Sequence, residues 1–130
     1  MKEPSQFVDK LANQVIGAAI EVHRVLGAGF LESVYEQALA VELAQRGVEF
    51  ERQKAVELKY KGIVVGDARI DLLVGGRLII ELKAVDAIHP IHHAQVINYL
   101  KATGFELGLL LNFNVEQLRT GIKRIVLTQL

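Results

Sequence analysis

The chain has 130 residues, no cysteine, and 15 basic side chains against 15 acidic ones. That is enough length for one domain with a real core, and a zero net charge argues against strong non-specific polyanion binding while leaving room for a locally basic cleft. Disulfides and thiolate metal sites are excluded, which accords with a cytoplasmic setting; no apolar run reaches membrane-spanning length, and residues 1–5 do not read as a signal peptide.

In chain order, Phe7, Leu11, Val15, Ala18, Val22 and Leu26 recur at helical spacing and predict an amphipathic helix over residues 6–26, stopped by Gly27-Ala28-Gly29. A second helix follows over residues 30–46, closed by Gly47. Residues 48–52 and 55–60 read as strands, Lys61-Gly62 as a turn, and residues 63–65, 68–74 and 78–85 as further strands. Pro90 suits the first turn of a third helix that runs to about Thr103 and ends at Gly104. Residues 105–113 form an apolar strand buried on both faces, residues 114–121 a loop or short helix, and residues 122–127 a last strand. This order predicts an α/β fold, a mixed sheet with helices on its faces.

The stretch from Arg69 to Lys83 is the most informative. Side chains alternate across a strand, so Ala68, Ile70, Leu72 and Val74 share one face, as do Leu78, Ile80 and Leu82. Those apolar rows fall on a common face only if the connection is the three residues Gly75-Gly76-Arg77; a two-residue turn would slip the register by one. Asp71 then faces Glu81 directly, with Arg69 and Lys83 on the same side. Two opposed carboxylates repel unless a cation lies between them. One explanation is a structural salt bridge with Lys83; the other is a hard-metal site with a lysine beside it.

Glu32 heads the stripe Glu32, Tyr35, Leu39 and Leu43, which turns it inward toward the same site; a glutamate in a first helical turn also complements the helix dipole. His92, Gln95 and Tyr99 occupy one face of the third helix, where they can serve the site or bond to the sheet edge. His89 pairs with His92 or His93 at helical spacing, but Pro90 places His89 at or before the helix start, and neither a zinc-protease glutamate nor a cysteine accompanies them, which argues against a zinc centre. Arg52, Lys54, Lys59 and Lys61 make the first hairpin basic, as a nucleic-acid guide or simply as a solvated surface.

Gly29-Phe30-Leu31-Glu32-Ser33-Val34-Tyr35 resembles the motif of the GxxExxY protein family. The similarity continues through Phe50-Glu51-Arg52-Gln53, Arg69-Ile70-Asp71-Leu72-Leu73-Val74, Ile80-Glu81-Leu82-Lys83-Ala84-Val85, His92-His93-Ala94-Gln95, Asn98-Tyr99-Leu100-Lys101 and Gly108-Leu109-Leu110-Leu111-Asn112-Phe113, and spans about residues 10–128. That family looks like a compact branch of the PD-(D/E)xK nuclease-like superfamily. The resemblance implies a central mixed sheet flanked by helices and a Mg²⁺ or Mn²⁺ site. Carried over by position, Glu32, Asp71 and Glu81 are the metal-binding acids and Lys83 completes the Glu-x-Lys pair. Gln95 and Tyr99 resemble the Gln-x-x-x-Tyr motif of the recombination-nuclease branch. Ile70 stands where the namesake proline would be, a position that varies widely.

The expected function is therefore a Mg²⁺-dependent nuclease, acting on DNA rather than RNA. Its catalytic residues are Glu32, Asp71, Glu81, Lys83 and Gln95, and Arg69, His92 and Tyr99 contact the substrate. The alternatives are a non-catalytic nucleic-acid or protein-interaction module on the same fold, and a metal-dependent enzyme acting on free nucleotides. So small a domain has little surface for gripping a duplex, which makes a homodimer an expectation, and nothing implies a membrane.

Overall fold

The computed structural model describes residues 4–127. Helix α1 (Gln6–Leu26) starts at Ser5, whose hydroxyl accepts the Val8 N–H at 3.3 Å, satisfying one of the donors a helix start leaves free. Val8, Leu11, Val15, Ala18 and Val22 are buried. Phe7 departs from the predicted stripe: it is exposed, with the Arg77 guanidinium 5.4 Å above its ring. Helix α2 (Glu32–Gln45) starts two residues later than expected.

The four short strands read between residues 48 and 74 are two long ones, β1 (Phe50–Tyr60) and β2 (Ile63–Val74). The irregularity at Gln53 is absorbed in one residue, at φ 51°, with Arg52↔Leu72 and Lys54↔Ile70 in unbroken register on either side. Strand β3 (Leu78–Lys83), helix α3 (Pro90–Thr103), strand β4 (Leu107–Asn112), a 3₁₀ turn (Leu118–Gly121) and strand β5 (Ile122–Val126) complete the order. The sheet runs β1-β2-β3-β4-β5, antiparallel except for the β3–β4 pair. A parallel pair needs a crossover, and α3 supplies it.

Helices α1 and α2 cover one face of the sheet, meeting Leu72, Val74, Leu78, Ile80 and Leu82 in a core that includes Leu109 and Leu111, with Ile122 and Val126 of β5 packed against it. Helix α3 covers the other face through Val96, Tyr99 and Leu100 against Leu73, Ile79 and Leu110. Strand β4 is buried along its whole length, as a central strand covered on both sides must be. Among the described residues no helix is long and apolar enough to cross a membrane.

The pairs Leu72↔Ile80, Leu73↔Ile79 and Val74↔Leu78 confirm the three-residue connection. Gly75 and Gly76 both take positive φ (59° and 71°), and a Cβ on Gly75 would stand 2.7 Å from the Leu11 side chain, so the turn needs glycine there. The predicted common face of β2 fails at one point. Leu72 and Val74 pack under α1 and α2, but Ile70 and Ala68 belong with α3. The face changes at Asp71, where pairing with β3 stops and the outer halves of β1 and β2 continue as a two-stranded arm. Two-stranded ribbons twist more than full sheets, and this one turns its apolar side toward α3.

Candidate active site

One step beyond the last β2–β3 pair, the register places Asp71 opposite Glu81. Here side chains replace the main-chain ladder. The Asp71 N–H donates to Glu81 Oε1 at 3.1 Å, and the Leu82 N–H donates to Asp71 Oδ2 at 2.8 Å. Each carboxylate is thus held by the backbone of the opposing strand, at the mouth of a fork between β2 and β3.

Glu81 is only 3% exposed. Burial, and then the charge of Asp71, push its carboxyl up to about 8, against the opposing pull of Lys83. Burial also raises Asp71, with Glu36 and Glu32 adding repulsion and the bonds from Leu82 and Gln53 opposing. Near neutral pH the pair therefore holds a proton in place of one negative charge. Lys83 is half-buried, and no ion pair of 4.0 Å or less joins it to a described carboxylate. With His92, Gln95 and Asn98 it lines a hollow of about 380 Å³.

Helix α3 brings its polar face to this hollow. His92 Nδ1 accepts the His89 N–H at 3.0 Å, which leaves the ring proton of a neutral imidazole on Nε2. Histidines 89 and 92 are thus engaged in starting the helix. The Tyr99 phenol, one helical turn after Gln95, is pushed up first by burial and then by the charges of Glu81 and Asp71, with Gln95 opposing. Tyr99 therefore lies within electrostatic reach of the carboxylates.

Helix α2 contributes differently from expectation. Glu32 is exposed, not turned into the core, although its charge is felt at both Asp71 and Glu81. Its placement rests on Tyr35. The Tyr35 hydroxyl donates to Gly27 O at 2.6 Å and accepts the Phe30 N–H at 3.2 Å, and its ring stacks on Phe113 with centroids 4.5 Å apart. Gly29, at φ 106°, lets the intervening loop turn. The Gly-x-x-Glu-x-x-Tyr spacing thus encodes a pinned loop that sets where Glu32 begins its helix.

Arg69 does not neutralise Asp71. Its guanidinium donates to Gln53 O at 3.0 Å, and among the described residues it forms no ion pair with Asp71. Glu36, Gln53 and Asn112 also belong to the site. Gln53 Nε2 donates to Glu36 Oε1 at 2.7 Å and to Asp71 Oδ1 at 3.4 Å, and Arg52 pairs with Glu36 at 2.9 Å. Asn112 is buried; it donates to Val85 O at 2.9 Å and accepts the Val85 N–H at 3.1 Å, which anchors the chain just after Lys83. Glu36 lies one helical turn after Glu32, a signal available in the sequence; Gln53 and Asn112 carried none beyond their place in the similar segments.

Asp71 and Glu81 are hard oxygen donors whose mutual repulsion a divalent ion would relieve, so they fit the chemistry of Mg²⁺, which takes one or two carboxylates and keeps several waters. Among the described residues no group of three His, Asp or Glu side chains forms a ready-made cage. The larger hollow of about 690 Å³ between the end of α2 and the Gly75-Gly76 turn lies at the other end of the hairpin, and among the described residues its ionisable lining is Glu49 and Glu51.

No curated protein and no solved structure matches the chain. A family model described as the PD-(D/E)XK nuclease superfamily matches residues 9–125. The match covers most of the chain, and the five-stranded mixed sheet flanked by helices is the architecture it calls for: the chain belongs to the PD-(D/E)XK nuclease superfamily.

Proposed function

We propose that the protein is a Mg²⁺- or Mn²⁺-dependent nuclease that hydrolyses phosphodiester bonds, in DNA before RNA. The observation that carries this reading is the fork at Asp71 and Glu81, where two carboxylates face each other half-neutralised beside a lysine without an ion-pair partner among the described residues. A structural salt bridge would have engaged Lys83. Membership in a nuclease superfamily supports nucleic acid as the substrate class.

Asp71 and Glu81 would hold the ion, with Glu32 reaching it through water. The chemistry such an ion supplies is acidification of a water and polarisation of a phosphoryl oxygen. Lys83 orients the attacking water or meets charge that develops on the phosphate. Gln95 forms the wall beside Lys83, and His92 offers its Nε2–H to the substrate. Tyr99 and Arg69 line the approach of the substrate strand.

Calorimetric titration with Mg²⁺ and Mn²⁺, on the wild type and on Asp71→Ala with Glu81→Ala, tests the reading, together with incubation of the same samples with single- and double-stranded DNA and RNA. Metal binding and cleavage lost together in the double variant are the expected outcome. A wild type that binds no metal would overturn the catalytic reading and leave a binding module.

A further inference from the structure

The hollow that Lys83 lines has a neighbour along the same helix. A second groove, of about 680 Å³, runs between the outer side of α3 and the free edge of β1, and Asn98 lines both. We infer that the two form one track for a single strand of nucleic acid, leading from the acidic fork along α3 to Lys101 and Lys59. This rests on the nuclease reading and specifies its substrate as a polynucleotide strand, not a free nucleotide.

Three features favour that occupant. Gln95, Asn98 and Lys101 recur at steps of three on α3, so they border the track in sequence. His92 to Lys101 covers about 14 Å of helix at 1.5 Å per residue, room for about four nucleotides at a stacked rise of 3.4 Å. The chemistry also changes along the way. Lys83, two residues past Glu81, stands at one end, neutral amides in the middle, and the ammonium groups of Lys59 and Lys101 at the other, with Glu57 as the only opposing charge among the described residues of that groove's wall. Among the described residues neither lysine has an ion-pair partner within 4.0 Å, so both are available to phosphate. Finally, Leu58 and Ala102 give the groove apolar surface between its polar groups. Apolar surface for base faces and ammoniums for the backbone are what a single strand requires. The groove has the volume of a ligand cleft, which suits a strand and not a duplex. The free β1 edge could instead pair with an extended peptide, and the test separates the two.

The test compares the wild type, Lys59→Ala with Lys101→Ala, and Lys10→Ala on α1 as a charge-matched control. Each is assayed with Mn²⁺ on a 12-nucleotide single strand and on thymidine 5′-p-nitrophenyl phosphate, a diester too short to reach the lysines. The track predicts a KM raised about tenfold for the 12-mer in the double variant, with kcat and small-diester hydrolysis unchanged. It also predicts a salt dependence of binding shallower by about 1.4 in log–log slope, at about 0.7 per lost contact. A double variant that behaves like Lys10→Ala would overturn the track and leave the nuclease reading standing. If the wild type cleaves neither substrate, the nuclease reading fails by itself and the track is judged by fluorescence anisotropy of the labelled 12-mer. Binding weakened only in the double variant then supports it; equal binding, or none, overturns it.

Discussion

The main-chain N–H of Asp71 donates to the Glu81 carboxylate across the β2–β3 fork, at 3.1 Å. The strand partner that would ordinarily accept from that N–H is a carbonyl; here it is a buried acid. The reciprocal bond from the Leu82 N–H to Asp71 means that both acids are aimed by the strands they separate. The sheet gives up a regular ladder pair and buries an ionisable group, and such local inconsistency is expected where structure yields to function.

This arrangement makes the protein less stable as pH rises. A carboxyl near 4.5 in the unfolded chain and about 8 in the folded one binds more protons when folded. Its favourable contribution is therefore complete below about 4.5 and is lost as pH climbs toward about 8; the raised Asp71 acts in the same direction. Glu81→Gln keeps an oxygen to accept the Asp71 N–H and removes the titration. Thermal melts without metal should show the variant more stable at pH 8, on the order of 2 kcal/mol, and little changed at pH 5. Mg²⁺ should raise the melting temperature of the wild type at pH 8 and leave the variant almost unmoved. Parallel pH profiles for the two proteins would refute the account.

Asn112→Ala should loosen the segment after Lys83 without touching a carboxylate. It leaves the Val85 N–H and C=O without their side-chain partner, a loss of about 1–3 kcal/mol in denaturant unfolding. Cleavage should fall more than metal affinity does. Equal losses of both would show that Asn112 supports the fold as a whole and does not position Lys83.

The hairpin register was legible because its alternation admits one solution: only a three-residue turn puts Leu72, Val74, Leu78 and Ile80 under the same helices. The opposition of Asp71 and Glu81 followed from that alone. The same rule misplaced Ile70 and Ala68, because alternation assumes a flat ladder and the arm twists once β3 no longer holds it. The burial of Glu32 was misjudged for a related reason. Helical spacing gives a residue's angle around the axis, but at the first position of α2 no neighbouring layer covers that angle. Gln53 was out of reach, since its contribution comes from a positive φ that no glycine or asparagine announces.

Tyr35→Phe separates the two halves of the Gly-x-x-Glu-x-x-Tyr motif. Stacking on Phe113 survives, while the hydroxyl bonds to Gly27 and Phe30 are lost. Stability should drop by about 1–2 kcal/mol, and amide exchange should rise in residues 27–31. Cleavage should weaken if Glu32 acts from the position that this loop sets; unchanged cleavage with faster exchange would remove Glu32 from the site.

Lys83→Met decides between structural and chemical roles for the lysine. A salt bridge that compensates the Glu81 charge would, when broken, leave a buried charge and cost about 3–5 kcal/mol. No described carboxylate lies within 4.0 Å of Lys83, and Glu81 meets its burial by holding a proton. The methionine keeps the apolar stem that spans the half-buried position, so unfolding should shift by less than about 1 kcal/mol. Calorimetry should still detect Mg²⁺ binding through Asp71 and Glu81, somewhat weaker at low pH because Glu81 loses the field that favours its ionised form. Cleavage should fall by at least about a hundredfold, the scale on which one oriented electrostatic group acts. A destabilised variant that cleaves at the wild-type rate per folded molecule would make Lys83 a structural cation.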